Sequence, residues 1–210
     1  MVEKNILEKL GNREILPDDL AEVVKKNLNL LPKIIKGVSS PNKRIKNGTA
    51  KILRTISEDY PERLYTKFDF FVEHMNGEDT ILKWLAMDTI ANFAHIDKKN
   101  RIDKILSTYY ELLSDESMVT AAHAVESLGK IAKAKPKYQE EITRQLFRVK
   151  TIDRGSECRN ILLGKVILAF DGYMDQVHDK KEIFSFVKRE LNNSRNATSV
   201  KAEKFLKKYD

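Results

Sequence analysis

The residues able to do chemistry are few in this chain, and most stand apart from one another. The stretch "LKWLAMDTIANFAHID" (residues 82–97) holds its only tryptophan, Trp84, four positions before Asp88. On a helix that spacing puts the ring and the carboxylate on one face. The pair is either a catalytic site or one turn of a scaffold. Metal chemistry finds no framework. His74, His95, His123 and His178 include no H-x-x-x-H or HExxH pairing, so no metal site is expected. Cys158 is a lone thiol without a fixed histidine beside it, and reads as a core filler or a partly buried thiol. No glycine-rich phosphate loop follows a strand, and no cofactor is expected.

Charge adds a second clue. The chain has 210 residues, with 38 Lys and Arg against 31 Asp and Glu, a net of +7. Summed positive potential favours an anionic partner. Yet no segment exceeds +4, and 116–152 and 176–210 are the most basic. A solvated helical surface explains this better than a nucleic-acid tail. No apolar run reaches the ~18–20 residues a membrane span needs. The start "MVEKNILEKL" lacks the apolar stretch of an export signal, so the chain is expected in the cytoplasm, as a monomer. A single cysteine suits a reducing compartment.

The elements that must position these residues repeat. "TAKILRTI" (49–56), "AMDTIANF" (86–93), "AVESLGKI" (124–131), "GKVILAFD" (164–171) and "AEKFLKKY" (202–209) each open with a small residue and place an aliphatic one four positions later. The pairs are Thr49/Leu53, Ala86/Ile90, Ala124/Leu128, Gly164/Leu168 and Ala202/Leu206, at spacings of 37, 38, 40 and 38 residues. The i, i+4 step predicts one packed face: a small residue admits a neighbouring helix and the large one fills the space beside it.

A second helix is predicted in each unit over 61–75, 99–114, 136–150 and 180–192, where apolar residues recur at 3–4 spacing. Pro61 and Pro136 fall eight positions after their unit's leucine, suiting a first helical turn. Asn76-Gly77 reads as a turn, and Ser117 and Ser156 as helix caps. Residues 1–40 read as two or three helices covering the first repeat's apolar edge. The expectation is one all-α domain over 1–210, with ten to twelve helices: a cap over 1–40, then about four and a half helix pairs over 41–210.

The pattern resembles HEAT repeats, relatives of armadillo repeats, with "AHAVESLGKIAKAKPKY" (122–138) the best match and "LKWLAMDTIANF" following the same template. The resemblance covers roughly 41–210; the arginine and proline often found in the first helix are mostly missing. It implies a right-handed α-α superhelix and a non-catalytic scaffold that binds a protein or peptide along the concave face, which the second helices line. The exposed candidates there are Arg63, Lys67, Arg101, Lys104, Arg144, Arg148 and Lys188, with Tyr109 as an aromatic contact; of Tyr109 and Tyr110, adjacent in "TYYELL", one must pack.

A narrower resemblance is to alkylpurine DNA glycosylases, also built from HEAT-like repeats. It implies that Trp84 stacks a damaged nucleotide and that Asp88 stabilises the sugar cation formed as the base leaves, with bases on the phosphates. The family's arginine and second aromatic have no counterparts: the positions one and two repeats on hold His123, Val125, Leu162 and Leu163. The scaffold expectation leaves Trp84 packed against the preceding repeat, and Asp88 in solvent or paired with a nearby base.

Overall fold

The computed structural model describes residues 5–209, and every regular element among them is helical. The α-helices are α1 (Asn5–Gly11), α2 (Pro17–Lys26), α3 (Leu31–Gly37), α4 (Lys43–Asp59), α5 (Pro61–Tyr65), α6 (Phe68–Met75) and α7 (Thr80–Asn92). They continue with α8 (Leu106–Leu112), α9 (Met118–Ala134), α10 (Gln139–Phe147), α11 (Ser156–Tyr173), α12 (Lys181–Arg189) and α13 (Asn196–Tyr209). None of them is long and apolar enough to cross a membrane. The residues group into two compact units, one ending at Ile96 and one beginning at Asp97.

The described residues hold thirteen α-helices against the ten to twelve expected, because 61–75 is split in two and 1–40 holds three. The 61–75 segment is α5 and α6, interrupted at Thr66–Lys67. Its apolar stripe, Leu64, Phe68, Phe71 and Met75, stays buried across the break. The 99–114 segment opens with a 3-10 turn, Arg101–Ile105, before α8; α10 is flanked by the 3-10 turns Pro136–Tyr138 and Arg148–Thr151. The first helices are continuous and longer.

Local chemistry accounts for many of the boundaries. Pro61 and Pro136 stand in the first turns of their helices, where a missing amide leaves no bond unmade. Asp79 caps α7 by accepting from the Ile81 and Leu82 amides at 3.1 and 3.2 Å, and Ser117 caps α9 by accepting from Thr120 at 3.3 Å. Ser156 does not cap: it is the first residue of α11, and Gly155 holds the cap position.

In the first unit, α4 packs along α7, with α2 and α3 against α4 and α6 against α7. Phe93 sits among Tyr65, Phe68 and Phe71, with ring centroids 5.6–6.1 Å away. In the second, α9 packs along α11 and α11 along α13. Phe147, Phe170 and Phe186 form its aromatic centre, at 5.3–5.6 Å. Gly129 of α9 permits the close approach of α11, since a Cβ there would lie 2.8 Å from the Ala169 Cβ.

The repeat is visible in burial, with one change of register. Thr49/Leu53, Ala86/Ile90 and Ala124/Leu128 are completely buried, and Ala202/Leu206 nearly so. In α11, however, Leu168 is 48% exposed, while Val166 and Phe170 are completely buried. The fourth pair is therefore Val166/Phe170, two residues beyond the expected Gly164/Leu168. Successive spacings become 37, 38, 42 and 36 residues. Gly164 is buried, but beside Thr198 and Lys201 of α13.

Polar cross-links run at nearly the same interval. Lys46 pairs with Asp79, and the Asn92 side chain donates to Ser57 Oγ at 2.8 Å. Thr198 Oγ1 donates to the Asn160 carbonyl at 2.7 Å, and Arg154 to the Asp115 carbonyl at 2.9 Å. These partners stand 33–39 residues apart, one repeat from each other. Side chains thus tie neighbouring segments within each unit, while the apolar stripes carry the packing.

Candidate partner-binding surface

Trp84 and Asp88 share a face of α7, as their spacing predicts, but the carboxylate is not open to a ligand. Asp88 is only 7% exposed and sits 3.5 Å from Arg54 of α4. Of the two expected placements, solvent or a nearby base, the second holds. Trp84 is half-buried. The start of α7 is fixed by Asp79, whose carboxyl is held below the usual carboxylate range chiefly by the Lys46 ammonium, with the Leu82 and Ile81 amides adding to it against partial burial. One repeat on, His123 is half-buried and Val125 fully buried; two on, Leu162 and Leu163 are core.

The second helices supply a different kind of surface. In the first unit, Arg63 is exposed on α5, 3.7 Å from Glu62, and Lys67 is exposed at the break before α6. In the second unit, Lys104 is exposed and Arg101 half-buried on the 3-10 turn before α8. Arg144 is exposed on α10 but tied to Glu140 at 3.0 Å, one helical turn back. Lys188 is exposed on α12, with its ammonium 5.9 Å above the Phe184 ring.

Tyr109 must be removed from this surface. Its side chain has no solvent exposure, being one step of the stripe Ile102, Ile105, Leu106, Tyr109 and Leu113 that faces the core. Tyr110 is the partly exposed member of the pair. Reading that stripe at 3–4 spacing assigns the two tyrosines correctly, and was the signal available in sequence.

Tyr110 opens onto a groove of about 790 Å³ between α8 and α10. Ser107, Tyr110 and Glu111 form one wall; Gln145, Arg148 and Thr151 form the other. Arg148 donates to Gln145 Oε1 at 2.9 Å, and Thr151 Oγ1 to the Arg148 carbonyl at 2.8 Å, which fixes the second wall. Burial pushes the Tyr110 phenol above its ordinary range, with the Glu141 carboxylate adding to it. The phenol therefore stays neutral, and its hydroxyl oxygen is buried beneath the groove surface, so it is the ring that faces the opening. Apart from Arg148, the lining of this groove does not follow from the sequence, because its walls come from segments more than 30 residues apart.

Among the described residues no three His, Cys, Asp or Glu side chains come together as metal ligands. The groove has an aromatic, hydroxyls, an amide and both signs of charge. That combination can recognise extended polar chain by hydrogen bonds.

A scan against protein-family models finds no match, nor does a search of curated proteins. The fold has solved counterparts. The chain is similar to an engineered protein crystallised by the Northeast Structural Genomics Consortium, at 15% identity and TM-score 0.61, over 98% of this chain and 90% of that one. A second engineered protein from the same consortium matches at 16% identity and TM-score 0.59, over 89% and 84%. At such identities the likeness extends to the fold alone: a chain of packed α-helices.

Proposed function

We propose that this chain is a non-catalytic helical-repeat scaffold of the HEAT/armadillo type, holding a protein or peptide partner against its second helices. Within each unit the helix pairs stack as right-handed α-solenoid repeats. The observation that carries the reading is the groove between α8 and α10. It lies between consecutive second helices, where a solenoid presents its binding surface, and it is open, lined by both polar and apolar side chains, with Tyr110 on one wall. The placement of Asp88 supports the same conclusion, since a carboxylate turned into the α4–α7 contact and paired with Arg54 is built for packing.

Selection of peptides from a random display library on the full chain tests this. Binders to the wild type that are lost with Tyr110→Arg, and kept with Lys130→Asp on exposed α9 surface, bear the proposal out. Absence of any such binder, together with tight duplex-DNA binding that weakens steeply with salt, would overturn it in favour of a nucleic-acid protein.

A further inference from the structure

The solvent face of α12 uses charge differently from the rest of its unit. Elsewhere Lys137, Arg144, Lys165, Arg195 and Lys208 each stand beside a carboxylate. On α12, Lys181, Lys188 and Arg189 are exposed and share one face. No residue three or four positions from any of them is acidic, so the helix offers them no internal ion pair. Among the described residues, Lys181 and Arg189 make no ion pair at all.

The three cations line an open depression of about 650 Å³ together with Phe184, Ser185 and Asn192. No carboxylate belongs to this lining; Glu190, on the same chain segment, accepts instead from the Asn193 amide at 2.7 Å. Phe184 is partly exposed and forms the apolar spot in the middle. Its ring is held edge-on by Phe205 of α13 at 6.4 Å, and the Lys188 ammonium lies 5.9 Å from its centroid. Like charges gathered on one face repel one another, and an anionic partner removes that cost.

Spacing decides between anions. Lys181 and Lys188 are seven residues apart, about 10 Å along the helix axis. An extended peptide covers that length in about three residues, so carboxylates three positions apart reach both lysines, with the side chain between them over Phe184. A nucleic-acid backbone needs a longer track of bases. The preceding second helix, α10, offers exposed Glu140 and Glu141 instead, and its Arg144 is tied to Glu140.

We propose that this face of α12 docks an acidic peptide segment of a partner protein, with carboxylates on Lys181, Lys188 and Arg189 and an apolar side chain on Phe184. The face is separate from the groove at Tyr110 and does not depend on the scaffold reading.

Fluorescence anisotropy of a labelled peptide carrying Glu-Leu-Ser-Glu-Glu, titrated at low salt with the full-length chain, tests this. Replacing Lys181, Lys188 and Arg189 together by glutamine should weaken binding about tenfold, as should glutamine in place of the peptide's glutamates. Replacing Lys26, Lys98 and Lys99, exposed elsewhere, by glutamine removes the same charge and should leave the affinity within about twofold. Tyr110→Arg should also leave it unchanged, which separates failure of the groove from failure of this face. Circular dichroism checks that each variant stays helical. Three results overturn the proposal: no binding of the peptide, equal losses with the two triple variants, or tighter binding of an oligodeoxynucleotide of the same charge through the same three cations. The last would assign the face to nucleic acid.

Discussion

Lys135 Nζ lies 3.2 Å from Asp97 Oδ2, and both side chains are almost wholly removed from solvent. The same ammonium donates to the Asp97 carbonyl at 2.9 Å, while the Asp97 carboxylate accepts from the Arg101 and Ile102 amides at 2.9 and 3.1 Å. One ion pair, spanning 38 residues, thus joins the end of α9 to the turn that launches the next-lower second helix. It also steadies Asn100, whose backbone is left-handed at φ 52°. Lys135→Met should destabilise the chain by about 3–5 kcal/mol, because it strands a buried carboxylate. Adding Asp97→Asn should recover part of that loss in urea titrations. Equal stability of Lys135→Met and wild type would mean that the pair is solvated.

The register of the fourth repeat gives a paired test. Phe170→Asp places a charge among Phe147, Phe186 and Tyr173 and should abolish cooperative unfolding. Leu168→Asp, two residues away and half-exposed, should stay within about 0.5 kcal/mol of wild type. Leu128→Asp and Lys130→Asp form the equivalent pair in α9, where the first residue is completely buried and the second exposed. Matching melting temperatures within either pair would contradict the register.

The cap of α7 makes acid stability depend on Asp79. Its folded-state carboxyl is held below the unfolded value by Lys46, so its contribution is present above pH ~4 and is lost as pH falls through the lower, folded value. Asp79→Ala removes the cap and should cost about 1–2 kcal/mol at neutral pH. The gap between wild type and variant should narrow below pH ~4, as wild type loses the same contribution. A gap that stays constant down to pH ~2 would assign the effect to something other than the carboxylate.

Asp88→Asn leaves the size of the side chain but weakens its bond to Arg54, and should cost about 1–2 kcal/mol, within the range for a charge-assisted contact. Trp84→Ala should cost less than the ~3–5 kcal/mol of a fully buried tryptophan, because the residue is only partly buried. Neither wild type nor variants should release free base from methylated duplex DNA. Base release that disappears with Asp88→Asn would replace the scaffold with a glycosylase.

Much of this architecture is legible in sequence, and each failure has its own physical cause. Prolines and an i, i+4 pair of small and large residues act locally, so Pro61, Pro136, Thr49/Leu53 and Ala124/Leu128 read correctly. The α11 sequence is apolar on most sides: Leu162, Leu163, Val166, Ile167, Leu168, Ala169 and Phe170 offer several stripes at the same spacing. Only the neighbouring helices decide that Leu168 faces out. The second helices mislead differently, since their stripes run unbroken through 3-10 turns and the Thr66–Lys67 break, where helical periodicity predicts uninterrupted α-helix. The groove is not legible because its walls meet only after folding.

Partner binding in the groove is open to hydrogen exchange measured by mass spectrometry, with and without a peptide selected on the wild-type chain. Exchange should slow over 106–114 and 139–153, the segments that line the groove, and stay unchanged over α7. Protection over α7 around Trp84 and Asp88, with the groove segments unaffected, would contradict it.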